Sequence, residues 1–399
     1  MVGPMPPESF LLTGRGRLLR PEPYDGTLPW AIVVRNGRIA WLGARADAPD
    51  ADTVSDLADA LVTPGLVNGH THPAFLGDRS DEAAARLAGA PYDGGGILRT
   101  VATTRAASDE ELRLAIEGRL RAELAAGTTT VECKSGYGLS TAEELRALRL
   151  IGEAARSVSG HVVRTFLGAH AVPPEALSMD AYATLVAEEM LPAVADAGAA
   201  EFCDVFCDRD FFSAEATERI LRVAASLGLG TRLHADQLTP SGGAELAARL
   251  GATSADHLEQ LDAAGVAALA GSRTVATLLP GPAIVMGGGL PPARALLDAG
   301  ATVALASDAN AGTFAGWGAM PLVIGLGATL LGMTVEEALT AATAGGAAAL
   351  RLAGRKGVLQ VGADADLVAW DAEHEGAFAL RLGAVRPAQV FVSGRVATT

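Results

Sequence analysis

Two regimes of apolar and polar alternation run along the chain. Near both ends, short apolar runs are punctuated by turn dipeptides. Trp30–Arg35 is followed by Asn36-Gly37 and a return over 38–42, and the run 389–392 is followed by Ser393-Gly394 and Arg395-Val396. Asn-Gly between two apolar runs is a hairpin signal, because both residues accept positive φ. Gly362-Ala363-Asp364-Ala365-Asp366 leads into one more run, Leu367–Trp370. In between, strand-like runs at 66–70, 128–133, 162–168, 201–207, 230–234, 253–257, 274–279 and 302–306 are separated by amphipathic stretches such as 110–126 and 141–156. Helix stops mark the phase at Ala126-Gly127, Leu229-Gly230, Leu250-Gly251 and Ala299-Gly300.

Eight strand–helix alternations over roughly 280 residues predict an α/β protein with a (β/α)8 TIM barrel. The barrel is expected over 63–350. The two β-rich ends, 1–62 and 351–399, are expected to assemble one small β-sandwich domain. A doubly wound open sheet would instead call for a glycine-rich phosphate loop after the first strand. That place holds two histidines.

Composition narrows the picture. With 399 residues, 49% apolar and 19% charged, the chain can bury a large core. A net charge of −15 argues against a nucleic-acid or anionic-membrane surface. It leaves room for a small anionic substrate, since a pocket can carry its own arginine. The three cysteines, Cys133, Cys203 and Cys207, form no paired framework and suit a reducing cytoplasm. No signal peptide follows Met1, and no apolar run reaches spanning length without Gly, Pro or charge, so a soluble cytoplasmic protein is expected.

The chemistry collects at strand ends. Asn68-Gly69-His70-Thr71-His72 closes the apolar run 61–67. Residues two apart on a strand share a side, so both imidazoles can reach one metal ion. His170 follows the third strand, His234 and His257 lie on the fifth and sixth, and Asp308 ends the eighth. In this fold the C-terminal strand ends meet at one mouth. His70, His72, His234 and Asp308 make a nitrogen-rich set suited to zinc or another divalent first-row ion, with a position left for water. Asp308 is placed to serve as general base and then general acid, and His257 to polarise the substrate or steady the nucleophile. One metal is expected. The fourth strand carries no lysine to bridge a second ion, and Lys134, after the second strand, is in the wrong sector. Cys207 and Asp208 read as structural.

Several stretches resemble the imidazolonepropionases of the amidohydrolase superfamily, and the likeness covers nearly the whole chain. They are Pro64 to His72, Gly94-Gly95-Gly96-Ile97, Thr103 to Ser108, Gly127-Thr128-Thr129-Thr130, Lys134-Ser135-Gly136-Tyr137-Gly138-Leu139, Gly168 to Pro174, His234-Ala235-Asp236-Gln237, Ser254-Ala255-Asp256-His257 and Ser307-Asp308-Ala309-Asn310. The resemblance implies hydrolysis of the 4-imidazolone-5-propanoate ring to N-formimidoyl-glutamate, in histidine degradation. It implies zinc or iron on His70, His72, His234 and Asp308, and substrate contacts from Arg79, Tyr137, His170, Gln237 and Thr313. Asn310 and Gly312 would meet the product-like end, and relatives tend to form homodimers. Arg79 suits the substrate's carboxylate as a bidentate partner, with an ion pair to Asp78 or Asp81 as the plain alternative. Tyr137 falls in a flexible Ser-Gly-Tyr-Gly turn.

Three places depart from the family pattern. Gln237 stands where some members have glutamate, which moves the proton work onto Asp308. The stretch Tyr92 to Gly96 is shorter than usual, so Tyr92 is left out of the site. Cys207-Asp208-Arg209-Asp210 replaces a cysteine–glutamate pair. The competing functions are a related hydrolase of another cyclic amide or amidine (deaminase- or dihydropyrimidinase-like) and a non-catalytic barrel. A neutral base as substrate would leave Arg79 unpaired, and loss of metal ligands would mark the second.

Overall fold

A computed structural model describes residues 9–20, 29–89 and 95–398. Tyr92 and the rest of 90–94 lie outside the described residues, as does the stretch following Met1. Eight parallel strands run in sequence order around a barrel: Leu66–Asn68, Thr128–Lys134, His161–Ala169, Phe202–Cys207, Gly230–Ala235, Ser254–His257, Val275–Leu278 and Val303–Leu305. All eight coincide with the strands expected from the sequence.

Side-chain parity explains the barrel wall. In the second strand Val131 and Cys133 join the helix-covered core, while Glu132 and Lys134 take the other face. The same split separates Cys203 and Val205 from Asp204, Leu233 and Ala235 from Arg232 and His234, and Ala255 from Asp256. Alternation of period two thus sends apolar residues outward to the helices and charged ones into the cylinder.

The first and eighth strands meet only at the mouth, through a bridge between Thr71 and Ala309. Asp308 N donates to His70 O at 3.0 Å, and His72 N donates to Ala309 O at 2.9 Å. Below this, the Asn68 side chain stands in for a ladder. Its Nδ2 donates to Ser307 Oγ (2.8 Å) and its Oδ1 accepts from Ser307 N (3.0 Å).

Two four-stranded sheets flank the barrel. One comprises Ser9–Gly14, Trp30–Arg35, Arg38–Ala44 and Thr53–Asp56; the other comprises Val62–Pro64, Leu367–Trp370, Pro387–Val392 and Arg395–Val396. A shared core including Trp30, Ile32, Val34, Leu367 and Phe391 lies between them. The predicted hairpin turn has φ of 50° at Asn36 and 74° at Gly37. Of the four expected helix stops, Gly127, Gly251 and Gly300 have positive φ, whereas Gly228 takes that role in place of Gly230. Gly230 opens the fifth strand, where a Cβ would lie 2.3 Å from the Phe202 ring. Close packing accounts for it.

Among the described residues, no helix is long and apolar enough to cross a membrane.

Candidate active site

Backbone turns at the barrel mouth aim the site residues inward. Asp236, His257, Leu258 and Asp308 all have positive φ, between 50° and 83°. Non-glycine residues adopt this conformation rarely, and such outliers gather where a site needs an unusual side-chain direction.

Four donors meet there. His72 Nε2 lies 3.2 Å from His70 Nε2, 3.4 Å from His234 Nε2 and 3.2 Å from Asp308 Oδ1, and His70 Nε2 is 3.5 Å from Asp308 Oδ1. Ligands at zinc-like bond lengths in a tetrahedral array stand about 3.3 Å apart. Asp308 Oδ1 is buried and makes no aligned hydrogen bond to any described group. A facing set of imidazole nitrogens and an orphaned carboxylate oxygen fits one metal ion.

The rings are held for that task by carboxylates behind them. His70 Nδ1 donates to Asp256 Oδ2 at 2.7 Å, and His234 Nδ1 donates to Asp204 Oδ1 at 3.0 Å. Each bond fixes the tautomer that leaves the Nε2 lone pair facing the site. A buried cation stands behind each carboxylate: Arg232 Nη2 is 2.8 Å from Asp256 Oδ2, and Lys134 Nζ is 2.8 Å from Asp204 Oδ2. Lys134 also meets Glu132 Oε1 at 2.8 Å. Burial, followed by Lys134 and the neighbouring rings, holds His70 well below the usual imidazole range, so it stays neutral and able to coordinate. Burial pushes the Asp308 carboxyl up, but His72, His257 and His234 more than offset this and bring it to about 2.

His257 completes the inner ring, with Nε2 3.9 Å from Asp308 Oδ2 and Nδ1 3.4 Å from Glu259 Oε1. Burial opposes its charged form, yet Glu259 prevails and raises its pKa. His170 stacks on His72 with ring centroids 5.2 Å apart, and its Nδ1 is 2.8 Å from Gly136 O. Tyr137 meets His170 edge-on at 5.2 Å and Phe75 at 5.7 Å.

Hydrogen bonds brace the turn bearing Tyr137, which the sequence reads as flexible. The buried Glu144 carboxylate accepts from Gly136 N, Gly138 N and Leu139 N at 3.0, 2.9 and 2.8 Å. Gly136 has a φ of 102°, and a Cβ there would press on His170 Nδ1 at 3.0 Å. Glu144→Ala is expected to lower stability by roughly 3 kcal/mol, since three buried N–H groups lose their acceptor. It should also raise KM as Tyr137 loosens. Chemical denaturation together with steady-state kinetics checks both.

Other residues sit further out. Gln237 is half-buried in the loop after the fifth strand. Asp208 pins that loop, accepting from Leu238 N and Thr239 Oγ1 at 2.9 and 2.6 Å. Cys207 is buried, and burial raises its thiol to about 11. Asn310 spends its amide on its own turn: Oδ1 accepts from Gly312 N and Thr313 N, and Nδ2 donates to Thr313 Oγ1. Arg79 is buried and pairs with Glu82 rather than with Asp78 or Asp81. Glu82 lies one helical turn along, where an i,i+3 pair forms readily. A Cβ on Gly312 would lie 2.2 Å from the Arg79 guanidinium carbon, so a side chain there would displace the guanidinium.

A barrel with three imidazoles and one carboxylate at its mouth is the hallmark of metal-dependent hydrolases, and residues 61–397 match the model of the amidohydrolase family. The chain is 46% identical to the imidazolonepropionase of Mycolicibacterium smegmatis, covering 92% of this chain and 90% of that protein. It is 48% identical to the imidazolonepropionase of Salinispora arenicola, covering 91% of each. It belongs to the imidazolonepropionase family. Among solved structures, a 5-methylcytosine deaminase from Klebsiella pneumoniae shares the fold, with a TM-score of 0.77 at 20% identity over 97% of both chains.

Proposed function

We propose that this chain opens the ring of 4-imidazolone-5-propanoate by hydrolysing a C–N bond, giving N-formimidoyl-L-glutamate, in cytoplasmic histidine degradation. The observation that carries the reading is the convergence of His70, His72, His234 and Asp308 in a chain so similar to imidazolonepropionases. These four residues would hold one zinc or iron ion, which when bound supplies Lewis acidity toward water and the ring carbonyl.

The remaining steps belong to side chains. Asp308 takes the proton of the attacking water and passes it to the departing ring nitrogen as the carbonyl carbon–nitrogen bond breaks. His257, oriented by Glu259, donates toward the oxygen on which charge develops. Tyr137 and His170 flank the ring, and Gln237 hydrogen-bonds a ring nitrogen. Arg79 receives the propanoate carboxylate, and Asn310, Gly312 and Thr313 shape the loop beside it.

The test is direct. Metal-loaded protein should consume the imidazolone chromophore, chelation should stop it, and reloading should restore it. If loaded protein leaves imidazolonepropionate untouched yet opens another lactam or amidine, the substrate assignment fails. Arg79→Ala should raise KM by at least about tenfold through loss of a charge-assisted pair. An unchanged KM would move the carboxylate subsite elsewhere.

A further inference from the structure

The carboxylate of Glu82 lies among three arginines beside the short helix Ser80–Leu87. Its oxygens are 2.9 and 2.6 Å from Arg79 Nε and Nη2, and Oε1 is 3.0 Å from Arg86 Nη1. Arg99 Nη2 stands 4.0 Å from Oε2. The Arg79 and Arg86 side chains are almost wholly buried, at 3% and 6% exposure, whereas Glu82 reaches 22%. Arg86 is itself tied to the loop after the eighth strand, donating to Gly312 O at 2.6 Å. A Cβ at Gly96 would lie 1.9 Å from Glu82 Oε2, so glycine there leaves room for the carboxylate.

Resting on the reading that Arg79 receives the substrate's carboxylate, we propose that Glu82 is the exchangeable counter-ion of that subsite. The incoming carboxylate displaces Glu82 from Arg79, and Arg86 retains it. The two-point grip on the Nε/Nη2 edge is the geometry a ligand carboxylate would take. Glu82 therefore occupies the place before the ligand does.

Its departure costs little. Apart from the Arg86 side chain, which stays in place, the helix Ser80–Leu87 carries no buried residue. The helix lies between Gly77 and Gly89, with φ of 102° and 99°, and among the described residues nothing stands within 4 Å of a Cβ built at Gly89. Segments with so few buried contacts shift at low free-energy cost. Glu82 also keeps a cation throughout, so no carboxylate is stranded. The consequence is selectivity. An uncharged ring meets an already neutralised arginine, and only a ligand with a well-placed carboxylate can win Arg79 from Glu82.

Two measurements test this. One is Michaelis kinetics of metal-loaded wild type and variants on 4-imidazolone-5-propanoate. The other is calorimetric binding of imidazole-4-propanoate, which has ring and carboxylate but no scissile carbonyl. Glu82→Gln keeps the shape and removes the charge. It should lower KM and the analogue's Kd by roughly tenfold, with the effect in KM rather than kcat. Glu82→Ala should do the same, and Arg86→Gln should raise both constants, because Glu82 then has only the more distant Arg99 to hold it away from Arg79. If both Glu82 variants bind the analogue no more tightly than wild type, Glu82 is a fixed brace for Arg79 and the proposal is overturned. Should wild type leave the imidazolone intact while Glu82→Gln still tightens analogue binding, the reaction assignment falls and the counter-ion stands.

Discussion

Asp308→Asn is expected to reduce turnover by about 10²–10⁴-fold while leaving much of the bound metal in place. The amide copies the outline of the carboxylate and keeps an oxygen toward His70 and His72, but it cannot accept the proton of water at neutral pH. The surroundings favour ionisation of the native side chain: the rings of His72, His257 and His234 bring its carboxyl to about 2 against the burial that opposes this. Gln237 stands in place of a carboxylate, and the acid beside it, Asp236, is engaged elsewhere, accepting from Ser241 N and Ala244 N at 2.7 and 2.8 Å. Metal content by elemental analysis, measured beside kcat, checks the prediction. A variant with normal turnover would remove Asp308 from the proton path, and one that loses both metal and turnover would assign it to binding alone.

The second large effect falls on stability. Lys134→Met should destabilise the protein by about 3–5 kcal/mol, because it strands buried carboxylates without a cation. Lys134, Glu132 and Asp204 are all fully buried, and the ammonium lies 2.8 Å from each acid. Asp204 also holds His234, so the loss should travel to the metal. The expected readout is a fall of several degrees in Tm together with weaker metal retention in a chelator competition. Unchanged Tm and unchanged retention would show that the ion pairs contribute nothing net. Arg232 behind Asp256 and His70 forms the parallel arrangement, and a cation-to-methionine change there should act in the same direction.

The imidazoles and the carboxylate that converge at the mouth were legible from their places at strand ends. His70 and His72 announce themselves two apart at a strand end, and the strand count places His234, His257 and Asp308 at the same mouth. The supporting charges were harder to find. Asp204 interrupts a strand that is otherwise apolar, and Arg232 and Asp256 lie in buried strands beside the site histidines, which is a signal, since buried charges occur in partnership. Their partners, however, lie on neighbouring strands many residues away, and no spacing rule pairs Lys134 with Asp204. Tyr137 shows the opposite failure. Two glycines around it suggest freedom, yet Glu144, one turn into the next helix, accepts three backbone hydrogen bonds from the segment. The sequence around Arg79 offers Asp78, Asp81 or a ligand as its partner, and the helix phase that brings Glu82 to it is a property of the folded chain.

The seam between the first and eighth strands carries a mechanical consequence. The sheet there is laced by one amide side chain and a few bonds at the lip, and His70 and Asp308 lie on opposite banks of the gap. A cation gripping both would act as a rivet. Demetallated protein should therefore exchange its amide hydrogens fastest along these two strands, and the barrel should come apart there first, like a cask that has lost a hoop.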